Sequence, residues 1–288
     1  MKRILLIGHD GQVGYELLRA LAPLGPVTSV CYPDIDFAVP DTVRRVVREH
    51  RPDWIINAAA YTNVDGCETA KEECFAVNAE AVKNIAEACR SKNIRIIHFS
   101  TDYVFDGAGS FPYKEDDDCD PINTYGSSKL AGEQYLQSLA QNYIIIRTAW
   151  LYGVNGKNFV RTILEKAKTT PKLTVVDDQI GSPTHTKDLA AAVDHLIEKS
   201  AQGIFHVTNR GSCSWYQFAV KILQEAGIDD VEVSPIKSDQ LVRAAKRPAN
   251  SVMSMQKFIA TTGKAMQPWQ LALKDYLESM KARLHTLT

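Results

Sequence analysis

Thr101, Tyr125 and Lys129 bring a hydroxyl, a phenol and an ammonium into one stretch of the chain, Ser100 to Lys129. Tyr125 and Lys129 are four residues apart, so on a helix they project from one face. An ammonium beside a phenol favours the phenolate and lowers the phenol's pKa toward the range where it works as an acid or base. Thr101 follows the apolar run Ile94 to Phe99. From the end of a strand its hydroxyl would donate to the same substrate oxygen that the tyrosine protonates. A proton donor and a second hydrogen bond converging on one oxygen suit carbonyl reduction. The spacing Tyr-x-x-x-Lys is weak by itself, because a tyrosine and a lysine so placed are usually a half-buried ring and a solvated charge. The elements around them decide its meaning.

Lys2 to Gly8 is a short aliphatic run of the kind buried in the middle of a parallel sheet. It stops at Gly8-His9-Asp10-Gly11-Gln12-Val13-Gly14, and a helical pattern begins at Tyr15. Glycines at this spacing let the backbone turn tightly, approach a pyrophosphate and pack the following helix on the strand, with free N–H groups facing the phosphates. A plain glycine-rich turn has the same letters, but the order strand, glycine turn, helix at the N-terminus favours a dinucleotide. Val27 to Tyr32 reads as a second strand, and Asp34 or Asp36 follows at the distance where an acidic residue meets the adenosine ribose; Asp34 reads equally well as a helix cap. No arginine or lysine lies between Pro26 and Val43. Nothing in this loop greets a 2′-phosphate, so NADH and NADPH are both expected to serve.

Further on, Asp41 to His50 is a helix, and Trp54 to Ala60 a buried strand ending in small residues against which a flat cofactor can lie. Ala70 to Ser91 carries apolar residues at helical spacing, with Asn78 read as structural. Ile94 to Phe99 delivers Ser100 and Thr101 to a carboxyl end, where ligands gather in open α/β sheets. Asn123 to Ala140 is the helix with Tyr125 and Lys129, and Tyr143 to Thr148 the next strand, leaving Trp150 to wall a pocket or fill the core. The fold expected is α/β: a Rossmann-type doubly wound parallel sheet from residues 1–150, with a smaller substrate-binding lobe from 151–288, some segments of which return to the first domain. In that second part Arg243 to Pro248 is a positive cluster able to clamp a phosphorylated substrate, although solvation is its commoner fate, and a helix is expected from Gln267 to Ala282.

The chain has 288 residues, 33 basic against 34 acidic, without a long basic run. This gives no electrostatic footprint for nucleic acid or an anionic membrane. No stretch approaches the roughly 20 apolar residues of a membrane helix. The six cysteines lack Cys-x-x-Cys spacing, and the apolar run after Met1 is too short for a targeting segment, so a reduced, cytoplasmic protein with a small-molecule partner is expected. Lys114 to Asp118 is acidic, but neighbouring loop carboxylates are usually solvated rather than metal-binding.

Taken in series, the glycine turn, Asn57-Ala58-Ala59-Ala60-Tyr61-Thr62, Ser100-Thr101-Asp102-Tyr103-Val104-Phe105-Asp106-Gly107, Tyr125-Gly126-x-Ser128-Lys129, Arg147 to Tyr152, Asp178 to Thr184 and Arg247-Pro248-Ala249-Asn250 resemble the extended short-chain dehydrogenases/reductases. Within them they resemble the dTDP-4-dehydrorhamnose reductase family over nearly the full length. The resemblance implies NADPH- or NADH-dependent reduction of a 4-keto group, giving dTDP-L-rhamnose from its dTDP-4-keto precursor. It implies a catalytic trio of Thr101, Tyr125 and Lys129. Cofactor contacts are implied at Gly8, Asp10, Gly11, Gln12, Val13, Gly14, Asp36, Phe37, Ala59, Ala60, Thr62, Tyr125 and Lys129. Sugar-side contacts are implied at Val64, Asp102, Tyr103 and Trp150, and Arg247 is added from the basic cluster. Some members form dimers bridged by magnesium; Glu16 fits the first ligand position, but Lys187-Asp188 stands where a Glu-Asp pair is expected, and a charged lysine does not ligate. A magnesium ion (Mg2+) is therefore doubtful, no metal ligand is assigned, and the chain is expected to act as a monomer or homodimer. The rivals are a reductase or epimerase for another nucleotide sugar, and a non-catalytic cofactor-binding partner protein resembling the regulatory β subunit of methionine adenosyltransferase.

Overall fold

The structure, a computed structural model, describes residues 1–36, 39–90 and 92–286. Six strands form one parallel sheet: β1 (Ile4–Ile7), β2 (Val27–Val30), β3 (Trp54–Asn57), β4 (Arg95–Thr101), β5 (Tyr143–Thr148) and β6 (Gly203–His206). Their spatial order is β6-β5-β4-β3-β1-β2, with every neighbouring pair parallel. The strands read as near-continuous aliphatic runs because helices cover both faces. Successive residues split between the two cores: Ile4 and Leu6 point to one side, Leu5 and Ile7 to the other.

On the first face α1 (Gln12–Ala20) supplies Val13 and Leu17, and α5 (Thr186–Glu198) supplies Leu189, Val193 and Leu196. The opposite face is covered by α2 (Pro40–His50), which buries Val43, Val46 and Val47 at helical spacing, and by α3 (Ala81–Cys89) and α4 (Thr124–Leu139). Strand order reverses between β1 and β3, the point at which open α/β sheets hold their ligands beyond the carboxyl ends. Both β6 and α5 come from beyond residue 151, so the second half of the chain completes the main sheet.

Two expectations are revised in detail. The helix read over Ala70 to Ser91, whose last residue lies outside the described ones, is interrupted: Lys71–Phe75 is α-helical, Ala76–Glu80 forms a π turn, and α3 follows. Asn78 sits in that π turn, and its amide exchanges hydrogen bonds with the Tyr61 backbone (2.9 and 3.0 Å) and donates to Ser128 Oγ at 3.0 Å. The helix expected from Gln267 begins later and runs Trp269–Thr286, because Pro268 cannot supply an N–H inside a helix but is tolerated just before its start.

The remaining lobe has its own core, in which Tyr152, Ile163, Phe218, Leu273 and Tyr276 are buried together. Its small parallel pair joins Lys172–Val176 to Glu232–Ile236. Among the described residues no helix is long and apolar enough to cross a membrane, and the six cysteines are free thiols.

Candidate active site

The trio is assembled by β4 and α4. Thr101 is the last residue of β4, and Tyr125 and Lys129 lie one turn apart at the start of α4. Asn123 caps that helix, its side chain accepting from Gly126 N at 2.8 Å, and Glu68 accepts from Thr124 N and Oγ1 at 2.8 and 2.9 Å. A Cβ on Gly126 would meet the Tyr103 carbonyl oxygen at 2.1 Å. Glycine thus lets α4 press against the turn after β4, and the rings of Tyr103 and Tyr125 meet edge to face at 5.9 Å.

The electrostatics differ from the simple lysine-beside-phenol picture. Burial, with the Asp102 carboxylate nearby, holds the Tyr125 phenol above its ordinary pKa, while a hydrogen bond with Thr101 acts in the opposite direction. Lys129 is buried, its Nζ donating to the Phe99 carbonyl at 2.6 Å and lying 3.3 Å from His98 Nε2. Burial lowers its pKa to about 8, against the opposing pull of Glu133 and Cys74. Tyr125 is thus held as a protonated phenol. Asp102 is also buried; desolvation raises its carboxyl to about 6, although Ser251 and Thr101 help hold the charge. Thr101 Oγ1 donates to Asp102 Oδ1 at 2.9 Å.

Tyr125 and Lys129 line a groove of about 780 Å³ that runs back to the glycine turn. Gly8, Asp10, Gly11, Gln12, Val13, Asp36, Ala59, Ala60 and Thr62 line it as well. Gly8 has φ +78°, and a Cβ there would strike Ala59 N at 2.7 Å; a Cβ on Gly14 would meet Gly8 O at 2.0 Å. Gly8 supplies the turn. Gly14 is not in the groove wall but allows the close approach of α1, whose first N–H groups have no intrahelical acceptor and whose first residues, Gln12 and Val13, line the groove. These features fit a dinucleotide. Asp36 lines the groove and the exposed Asp34 does not. Phe37 lies outside the described residues.

Sequence reasoning passed over several wall residues. Lys157 is the most consequential, since it brings a cation into the groove from a loop far along the chain. The same loop grips the glycine turn: Asn155 Nδ2 donates to Asp10 O at 2.6 Å, and Asn158 Nδ2 to Gln12 Oε1 at 3.4 Å. Only spatial proximity reveals this; no motif near Lys157 announces it.

None of the residues expected on the sugar side lines the groove: Asp102 and Tyr103 adjoin Tyr125 from outside its wall, as does Thr101, and Val64, Trp150 and Arg247 are likewise absent from it. Arg247 Nη1 and Nη2 donate to the two oxygens of Asp65 at 3.2 and 3.0 Å, tying the basic cluster to the short helix Val64–Thr69. Trp150 has φ +48° and stacks on Trp215 at 3.5 Å between ring centroids.

Comparison with known proteins decides the family. The RmlD substrate binding domain family matches residues 1–282. The chain belongs to that family. It is 38% identical over 294 residues to the dTDP-4-dehydrorhamnose reductase of Escherichia coli, covering 96% of this chain and 97% of that protein. It is 40% identical over 279 residues to the spore coat polysaccharide biosynthesis protein SpsK of Bacillus subtilis, covering 96% and 98%. A crystal structure of dTDP-4-dehydrorhamnose reductase from Bacillus anthracis in complex with NADP superposes with a TM-score of 0.94 at 37% identity, covering 96% of this chain and 99% of that one.

A magnesium bridge does not suit Asp188 in this member of the RmlD family. Both Asp188 oxygens already accept from Gln267 Nε2 (3.1 and 3.0 Å), and Oδ2 accepts from Asn209 Nδ2 at 2.7 Å. With Lys187 beside it, this carboxylate does not fit a metal ligand.

Proposed function

We propose that the chain is an NAD(P)H-dependent reductase that converts the 4-keto group of dTDP-4-dehydro-L-rhamnose to the alcohol of dTDP-L-rhamnose. The observation that carries this reading is that Tyr125 and Lys129 line a groove shaped for a dinucleotide, with the Thr101 hydroxyl hydrogen-bonded to Tyr125 behind its wall. In the groove, the N-terminal turn of α1 and Lys157 hold the pyrophosphate and Asp36 the adenosine ribose. A reduced nicotinamide bound there supplies the hydride. The sugar carbonyl oxygen sits between Tyr125 and Thr101; as C4 accepts the hydride, Tyr125 donates its proton to that oxygen, and the Thr101 hydroxyl turns its one proton from Asp102 Oδ1 to hydrogen-bond it. Lys129 holds the nicotinamide ribose and, when charged, stabilises the tyrosinate left behind, which regains its proton from solvent. Residues 1–150, joined by Lys157, bind the cofactor, and the rest of the lobe drawn from 151–288, with Asp102, Tyr103, Val64, Trp150 and Arg247, binds the dTDP-sugar. The reaction is placed in the cytoplasm, with the chain as a monomer or homodimer.

The test is to mix the purified protein with freshly generated dTDP-4-dehydro-L-rhamnose and follow reduced-cofactor absorbance. Substrate-dependent oxidation with dTDP-L-rhamnose as product is expected. Turnover only with a different keto-sugar nucleotide would reassign the substrate. Cofactor binding without turnover on any of them would favour the partner-protein class.

A further inference from the structure

A row of buried side chains connects the groove wall to Lys129, and the proposed reaction leaves it unused. It begins at Ala59, whose N–H donates to Asn57 Oδ1 at 3.2 Å. That bond fixes the Asn57 amide, because turning it over would set Nδ2 against the Ala59 N–H, donor against donor. Nδ2 therefore faces His98 Nδ1, 3.2 Å away. A donor needs an acceptor, so Nδ1 is unprotonated and the one proton of the neutral imidazole sits on Nε2. Nε2 lies 3.3 Å from Lys129 Nζ, in a place where His98 is wholly buried and Lys129 is 1% exposed. An N–H facing an ammonium is again donor against donor. Facing an amine, it meets a lone pair.

We propose that His98 is a positioning residue for Lys129: its Nε2–H donates to the lysine Nζ and favours the uncharged amine, while Asn57 and Ala59 lock the imidazole tautomer. The lysine's own N–H groups stay free to donate to the Phe99 carbonyl. Other charged or titratable groups facing Lys129 are Glu133 on its own helix, paired in turn with Arg147 of β5, and Cys74 from the helix Lys71–Phe75. Burial and Lys129 both keep His98 far below its ordinary pKa, which preserves the neutral ring that this geometry requires. The row starts at Ala59, a residue of the groove wall, and ends at the lysine.

Only the kinetic test rests on the reductase reading. In the cofactor-free full chain, long-range ¹⁵N–¹H correlation of the histidine rings is expected to find His98 as the Nε2–H tautomer from about pH 6 to 9. An Nδ1–H tautomer or an imidazolium would overturn the proposal, whether or not the protein proves to be a reductase. In His98→Gln the side-chain carbonyl can accept from the ammonium, so Lys129 keeps its proton to higher pH. The alkaline fall in kcat/KM, expected near about pH 8 in the wild type, should then move up by about one pH unit. A uniform loss of kcat/KM with the break unmoved would mean that His98 only fills space and would sink the idea.

Discussion

Asp102 shows how one side chain beside the candidate site sets a measurable property of the chain. Its carboxyl titrates near 3.8 when unfolded and at about 6 when folded, so the folded state holds the proton more tightly. That advantage is complete below pH 3.8 and is lost as pH rises through about 6, leaving a buried charge that costs up to about 3 kcal/mol at neutral pH. Asp102→Asn removes the charge but keeps the shape. Between about pH 4 and pH 8 the difference in unfolding free energy should move in the variant's favour by about 2–3 kcal/mol in urea titrations; a pH-independent difference would contradict the burial argument. Asp36 governs cofactor choice at the same scale. Its charge in the groove opposes a 2′-phosphate, so kcat/KM should not favour NADPH over NADH by more than about a hundredfold, or 2.7 kcal/mol. Asp36→Ala should raise the NADPH to NADH ratio by roughly tenfold. Residue types and spacing pointed to Thr101, Tyr125 and Lys129 as candidates, but not to the state of Tyr125. Its pKa depends on burial and on Asp102, which no spacing records.

At the scale of elements, the strands and the glycine turn were legible because each has a local cause: aliphatic runs for buried strands, and Gly8 and Gly14 where a Cβ would collide with backbone. The π turn at Ala76–Glu80 was not legible, since the partners of its Asn78 side chain, Tyr61 and Ser128, are far away in sequence. The loop bearing Asn155, Lys157 and Asn158 was missed for the same reason. Its contribution can be measured: Lys157→Ala should weaken cofactor binding about tenfold at low ionic strength, roughly 1.4 kcal/mol, and by less in high salt as the charge is screened. Fluorescence titration with NADPH at two salt concentrations checks this, and an unchanged affinity at low salt would remove Lys157 from the pyrophosphate site.

For the whole molecule, the sheet order and the lobe's return through α5 and β6 put the end of β4, the start of α4 and the switch point beside one groove. The α/β class followed from alternating strands and helices, while the membership of β6 in the main sheet depended on pairing with β5 that only the structure reveals. At the centre of the proposed chemistry, this groove delivers reducing equivalents to a carbonyl held by Tyr125. The most direct measurement is the turnover of Tyr125→Phe with dTDP-4-dehydro-L-rhamnose, alongside its affinity for NADPH. The ring remains and the proton is gone, so kcat should fall on the order of a hundredfold to ten-thousandfold while the cofactor Kd stays within about twofold of wild type. Near-normal turnover in Tyr125→Phe would contradict that role for the tyrosine and the mechanism built on it.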